Sequence, residues 1–136
     1  MAQRPEVVSH LISIGANQRH RDKLNRNMVH SMVTYKNGEV KTDAEKLQAM
    51  IGLFDKEAIK EMLLERCTIS PGALTPLGHW MASNGGSYKK TDIIAILSKY
   101  SNGEDLEMIN GEGDLPLHVV CFISYLFWYN YGIPIF

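Results

Sequence analysis

Apolar residues recur along this chain at the spacing of a helix. In residues 5–12, Val7, Val8, Leu11 and Ile12 fall on one face at the 3.6-residue period. Pro5 suits the first helical position, where a missing N–H costs nothing, and Gly15 suits the stop beyond the last turn. Residues 55–65 repeat the pattern with Ile59, Met62 and Leu63 on one face and Asp55 as a candidate N-cap. Residues 91–100 repeat it again with Ile93, Ile94, Ile96 and Leu97, and Asn102-Gly103 marks the stop. Between these lies a polar, turn-rich stretch, Tyr35 to Glu39. Thr42-Asp43-Ala44-Glu45 follows in the form of a capping box. It opens a helix whose apolar face is Leu47, Met50, Ile51 and Phe54. No strand-like alternation of useful length occurs. The pattern predicts an all-α chain of paired helices joined by turns.

Three short segments also line up: Asn27-Met28-Val29-His30, Thr75-Pro76-Leu77-Gly78-His79 and Leu115-Pro116-Leu117-His118. Each has a polar or turn-like front, a small apolar step and a histidine. The later two continue into apolar, helix-like runs, Trp80-Met81-Ala82 and Val119-Val120-Cys121. These segments resemble the Thr-Pro-Leu-His-x-Ala opening of an ankyrin repeat. Thr75-Pro76-Leu77 matches it directly, with Gly78 looking like a one-residue insertion before His79. Pro116-Leu117-His118 matches with Leu115 in place of Thr, and the segment at Asn27 is a weaker version without Pro. Residues 6–17 are similar to the family's second helix and its Gly-Ala-Asn exit. Arg21-Asp22-Lys23 and residues 110–114 are similar to the hairpin that leads into the next repeat.

The resemblance implies a solenoid of stacked helix pairs joined by hairpin loops. About three irregular repeats would occupy residues 1–123, with an inserted helix near 43–54 and an apolar tail over 124–136. The motif starts stand 48 and 40 residues apart, against a family unit of about 33 residues. The excess is placed in lengthened connections, and the array is expected to be incomplete at both ends. The resemblance also makes Thr75, Pro76, His79, Pro116 and His118 structural residues. Thr caps the first helix and Pro presets its first turn, and in the family the Thr hydroxyl and the His ring exchange hydrogen bonds that tie one hairpin to the next, here Thr75 with His79, and His118 alone. Leu115 cannot make the Thr bond, so the last unit is expected to be looser. Stacking neighbours would create the shared core, for which Leu11, Ile12, Ile59, Leu63, Ile94, Leu97 and Leu117 are the candidates.

Composition changes this picture little. In 136 residues, 14 Lys+Arg face 15 Asp+Glu, so no overall pull towards nucleic acid or an anionic membrane is expected. Two cysteines, Cys67 and Cys121, are too few for a disulfide framework. That favours a reducing, intracellular setting, cytoplasmic or nuclear. No signal-peptide pattern opens the chain. Residues 119–136 carry no charge, but the first belong to a repeat helix and Gly132 and Pro134 break the rest. A membrane span is therefore not expected.

The five His and two Cys fit no zinc spacing, so neither a metal nor a cofactor is expected. No nucleophile elbow, phosphate loop or paired-carboxylate motif occurs. Asn84-Gly85-Gly86-Ser87 is a turn without the strand and Lys-Ser/Thr of a phosphate cradle. The expected role is non-enzymatic: a protein–protein interaction module or scaffold with a protein partner and no nucleic acid. The alternative is a regulatory or spacer part of a larger protein whose activity lies elsewhere. The partner is expected across the hairpins at 19–26, 68–74 and 110–114, with Arg21, Lys23, Arg26, Trp80 and Glu112 as exposed contacts. Arg19, His20, Arg21, Lys23 and Arg26 form a small basic cluster, read as a solvated hairpin with an anion-facing patch as its functional counterpart.

Overall fold

The structure, a computed structural model, describes residues 5–33, 44–68, 74–83 and 91–122. These residues are helices and turns, with no strand among them. In chain order the elements are α1 (Pro5–Ser13), α2 (Met28–Met32), α3 (Ala44–Ile51), α4 (Lys56–Leu64), α5 (Pro76–Ser83) and α6 (Thr91–Tyr100). A 3₁₀ turn (Glu104–Glu107) follows, and a last helix occupies residues 116–122. The expected all-α class is the observed one.

Local chemistry explains the helix ends. Gly15, at φ 97°, sits just past α1, and its N–H donates to the Ile12 carbonyl while that of Ala16 donates to Leu11. This 5→2 and 6→1 pair is the Schellman closure, which needs a left-handed residue. Asn102 (φ 56°) closes α6 the same way, with Gly103 N–H donating to the Ser98 carbonyl. Asp55 occupies the N-cap of α4, but its side chain makes no capping bond. Its own N–H donates to Gln18 Oε1 at 3.1 Å. The capping box at Thr42 and the turn at 35–39 lie outside the described residues, as do the turn at 84–87 and the tail from residue 123.

The core is one cluster. α4 contributes Ile59, Met62 and Leu63, packed against α2, α5 and α6. α3 adds Leu47 and Ile51, α5 adds Leu77, Trp80 and Met81, and α6 adds Ile93 and Leu97. The helix expected as an inserted connection is thus integral to the core: α3 packs between α1 and α6. Among the core candidates, Ile59, Leu63 and Leu97 are fully buried, and Ile94 packs against the cluster. Ile12 is half-buried. Two candidates are corrected. Leu11 is 46% exposed and Leu117 70% exposed. α1 turns Val8 and Ile12 inward and leaves Val7 and Leu11 facing out, and Ile14, just past its end, is exposed too. Periodicity marks an apolar face; it does not supply the neighbour that covers it.

Gly78 is a further correction. It is no insertion: α5 runs through it, His79 N–H donates to the Thr75 carbonyl at 2.7 Å, and Gly78 N–H donates to Thr75 Oγ1 at 3.2 Å. Gly78 therefore stands third after the cap, the place that His30 holds after Asn27 and His118 after Leu115.

Candidate functional site

Three loops precede α2, α5 and the 116–122 helix, and two of them share one hydrogen-bond pattern 88 residues apart. In the first, Asp22 Oδ1 accepts from the N–H groups of Leu24 and Arg26, both at 2.9 Å. Asp22 N–H donates to the Arg26 carbonyl at 3.0 Å, and Asn25 is left-handed at φ 61°. In the third, Asn110 Oδ1 accepts from Glu112 and Asp114, both at 2.9 Å. Asn110 N–H donates to the Asp114 carbonyl at 2.9 Å, and Gly113 takes the left-handed place at φ 83°. Asp and Asn suit the opening position because their short side chains cap the loop's own backbone. The second loop is longer: Cys67 N–H donates to the Leu74 carbonyl at 2.8 Å, with 69–73 outside the described residues. Thr68 joins the first two loops, since its N–H and hydroxyl donate to the Leu24 carbonyl at 2.8 and 2.9 Å.

Beneath the first two loops lies a buried polar tie. Asn27 caps α2: its Oδ1 accepts from Val29 and His30 N–H at 3.0 and 3.1 Å. Its Nδ2 donates to the Met62 carbonyl at 2.7 Å and to Glu65 Oε1 at 3.0 Å. Glu65 in turn pairs with Arg21 at 2.6 Å. The His30 ring, 0% exposed, places Nε2 2.8 Å from the Leu74 carbonyl. A carbonyl only accepts, so Nε2 carries the proton, and Nδ1 accepts from Asn27 N–H at 3.2 Å. One imidazole thereby links α2 to the residue in front of α5. Burial is the largest influence on this ring and lowers its pKa to about 4, helped by the neighbouring His79 and Arg21 and opposed by the Leu74 carbonyl. Burial also lowers the His79 pKa, with Arg26 adding to the effect. The two rings meet edge to face at 5.8 Å.

Asn27 does three jobs with one side chain. Replacing it by alanine removes a helix cap and leaves the Met62 carbonyl and Glu65 short of a donor. A loss of about 2 kcal/mol is expected, measurable as a lowered midpoint in urea unfolding. A midpoint equal to wild type would dismiss the tie.

The predicted contact residues fare differently. Lys23 and Glu112 are exposed on the first and third loops. Arg21 and Arg26 are half-buried and engaged, Arg21 with Glu65 and Arg26 with Asp22 at 2.6 Å. Arg19 also pairs, with Glu61 at 3.0 Å. Local carboxylates thus answer three of the cluster's cations, which favours the solvated hairpin over an anion-facing patch. Trp80 is removed from the surface set: it is 0% exposed and fully inside the core, because α5 turns that side towards its neighbouring helices.

Among the described residues, the ring that bridges two loops is that of His30, not of His79 or His118. Thr75 is buried and caps α5 through Gly78 N–H rather than through His79. Pro76 opens α5 and Pro116 opens the last helix. His118 Nδ1 accepts from Leu115 N–H at 3.0 Å, as His30 does from Asn27, but its ring is exposed. The residues missed in the sequence are Glu65 and His30; their partners, Asn27 and Leu74, lie 38 and 44 positions away.

Cys67 is buried and Cys121 exposed, and neither is in a disulfide. Among the described residues, no three His, Cys, Asp or Glu side chains gather as metal donors, and no helix is long and apolar enough to cross a membrane. No family model, no curated protein and no solved structure matches this chain.

Proposed function

We propose that the chain is a divergent ankyrin-type array and acts as a non-enzymatic module that holds a protein partner inside the cell. The observation that carries this reading is the pair of loops with one hydrogen-bond pattern, each leading into a helix whose third residue returns a His Nδ1 to the cap. Such a recurring loop-and-helix unit builds a continuous surface from short, rigid tips. Lys23 and Glu112 are the charged contacts on those tips, and Leu24, 44% exposed on the first loop, is an apolar contact. Arg21 and Arg26 act mainly in holding the first loop's shape, and Trp80 acts in the core.

The test is a charge reversal. Proteins captured by the immobilised chain are compared with those captured by Lys23→Glu/Glu112→Lys, both positions being exposed and outside the core. Loss of a specific partner at an unchanged melting temperature is expected. An unchanged bound set would remove the loop tips from the site. The exposed apolar faces at Val7, Leu11 and Leu117 favour a second reading, a spacer or regulatory arm whose ends rest against further structure.

A further inference from the structure

The two junctions between loops are closed differently. At the first, between α2 and the second loop, the His30 ring fills the space and donates to the Leu74 carbonyl. At the second, between α5 and the third loop, Gly78 stands in that place and a cleft of about 60 Å³ remains. This is far below the roughly 300–1,000 Å³ of ordinary ligand pockets, so no small molecule is assigned to it. Its lining does bring Met108, Ile109, Asp114 and Val119 together with Met81 of α5. Closure of the third loop, Asn110 N–H to the Asp114 carbonyl at 2.9 Å, returns Asp114 to the neighbourhood of Ile109.

Charge is spread unevenly over the chain. Residues 101–122 hold Glu104, Asp105, Glu107, Glu112 and Asp114 and no Lys or Arg, and residues 74–83 hold no Asp, Glu, Lys or Arg. Asp105 is buried against Ser101, and Glu104 faces Lys60 at 3.6 Å. Among the described residues no cation pairs with Glu107, Glu112 or Asp114. In the basic cluster of the first loop, by contrast, Arg19, Arg21 and Arg26 each meet a carboxylate. The unanswered acids flank Ile109, itself 44% exposed, with Glu107 two residues before it and Glu112 three after. They do not converge on one ion, since among the described residues no three such side chains gather as metal donors. Negative charge spread around an exposed apolar side chain matches an occupant that is apolar in the middle and positive on both sides.

We propose that Ile109 and the third loop form a docking surface for a short Lys- or Arg-bearing segment of a protein partner, with one apolar residue between its cations. That residue rests on Ile109 at the edge of the cleft, and the cations face Glu107, Glu112 and Asp114. The inference rests on the partner-binding reading above and adds the chemistry of the partner.

The test titrates a blocked pentapeptide, Lys-Lys-Leu-Lys-Lys, into the intact chain at low salt and follows backbone amide resonances. Saturable shifts are expected at Ile109, Glu112 and Asp114, with Kd on the order of 0.1–1 mM for so short a segment. Serine in place of the leucine is expected to weaken binding about fivefold, and glutamates in place of the lysines to abolish it. Glu107→Gln/Glu112→Gln, at two exposed positions, is expected to weaken binding of the leucine peptide about tenfold. Absent or non-saturating shifts, equal binding of the leucine and serine peptides, binding of the glutamate peptide, or full binding by the double variant would each overturn the assignment. Calcium ions that reproduce the shifts would also overturn it, since the loop would then be an ion site. So would a concentration-dependent dimer of the chain that is lost in the double variant, because the occupant would then be a second copy. If a captured partner is lost on Lys23→Glu/Glu112→Lys while the leucine peptide does not bind, the partner role stands and the basic segment falls.

Discussion

Trp80→Ala is expected to cost the fold about 3–5 kcal/mol, the range for deleting a buried tryptophan. Among the described residues the indole is the largest fully buried side chain, and it lies in the cluster that joins α4, α5 and α6. Its removal loses the apolar transfer energy of the ring and leaves a void that close-packed neighbours refill only in part. Against the 5–15 kcal/mol that holds an ordinary domain folded, this is a large fraction. The melting temperature should fall on the order of 10 °C or more. A partner-contact residue would behave otherwise, losing binding while the melt stayed put. A melt within a degree or two of wild type would therefore return Trp80 to the surface.

The second large effect is acid sensitivity. His30 titrates near 6.5 when unfolded and at about 4 when folded, chiefly because burial disfavours the imidazolium. Between those values the unfolded chain binds the extra proton, so stability is fully present above about pH 6.5 and is lost as pH falls towards 4. At about 1.4 kcal/mol per unit, the loss from His30 is about 3 kcal/mol. His79, also lowered by burial, works in the same direction. Asp105 works against them. Burial raises its pKa by more than the Ser101 hydroxyl, which donates to it at 2.8 Å, lowers it, so its folded form favours the proton as the medium acidifies. Urea unfolding at about pH 7.5 and pH 4.5 should show the net loss. His30→Gln, which keeps an N–H for the Leu74 carbonyl but cannot titrate, should flatten much of the slope. An unchanged slope in that variant would show that other groups set it.

Helix class and helix faces were legible in the sequence because periodicity alone sets them. Ile59 with Leu63, and Ile93 with Leu97, stand four apart, and both pairs are buried. Val7 and Leu11 have the same spacing and are exposed, because a face needs a neighbour and spacing does not reveal one. Trp80 was misplaced for a related reason. An aromatic beside a recognised motif suggests a contact surface, and only the packing of α5 decides which way it points. Gly78 looked inserted because residue identity was compared with a motif, whereas the backbone counts positions. The polar tie was least legible. It joins side chains to carbonyls, and a carbonyl leaves no mark in the sequence.

The unequal junctions give the chain a direction. If the chain is the repeat array proposed above, its stability is close to a sum of unit and nearest-neighbour terms. The first junction has an imidazole bridge and the Thr68 bonds to the Leu24 carbonyl; the second has a glycine and a small cleft. Opening therefore costs least at the third loop and the helix behind it. Residues 108–122 are therefore expected to exchange their amide protons sooner than α2, α4 and α5.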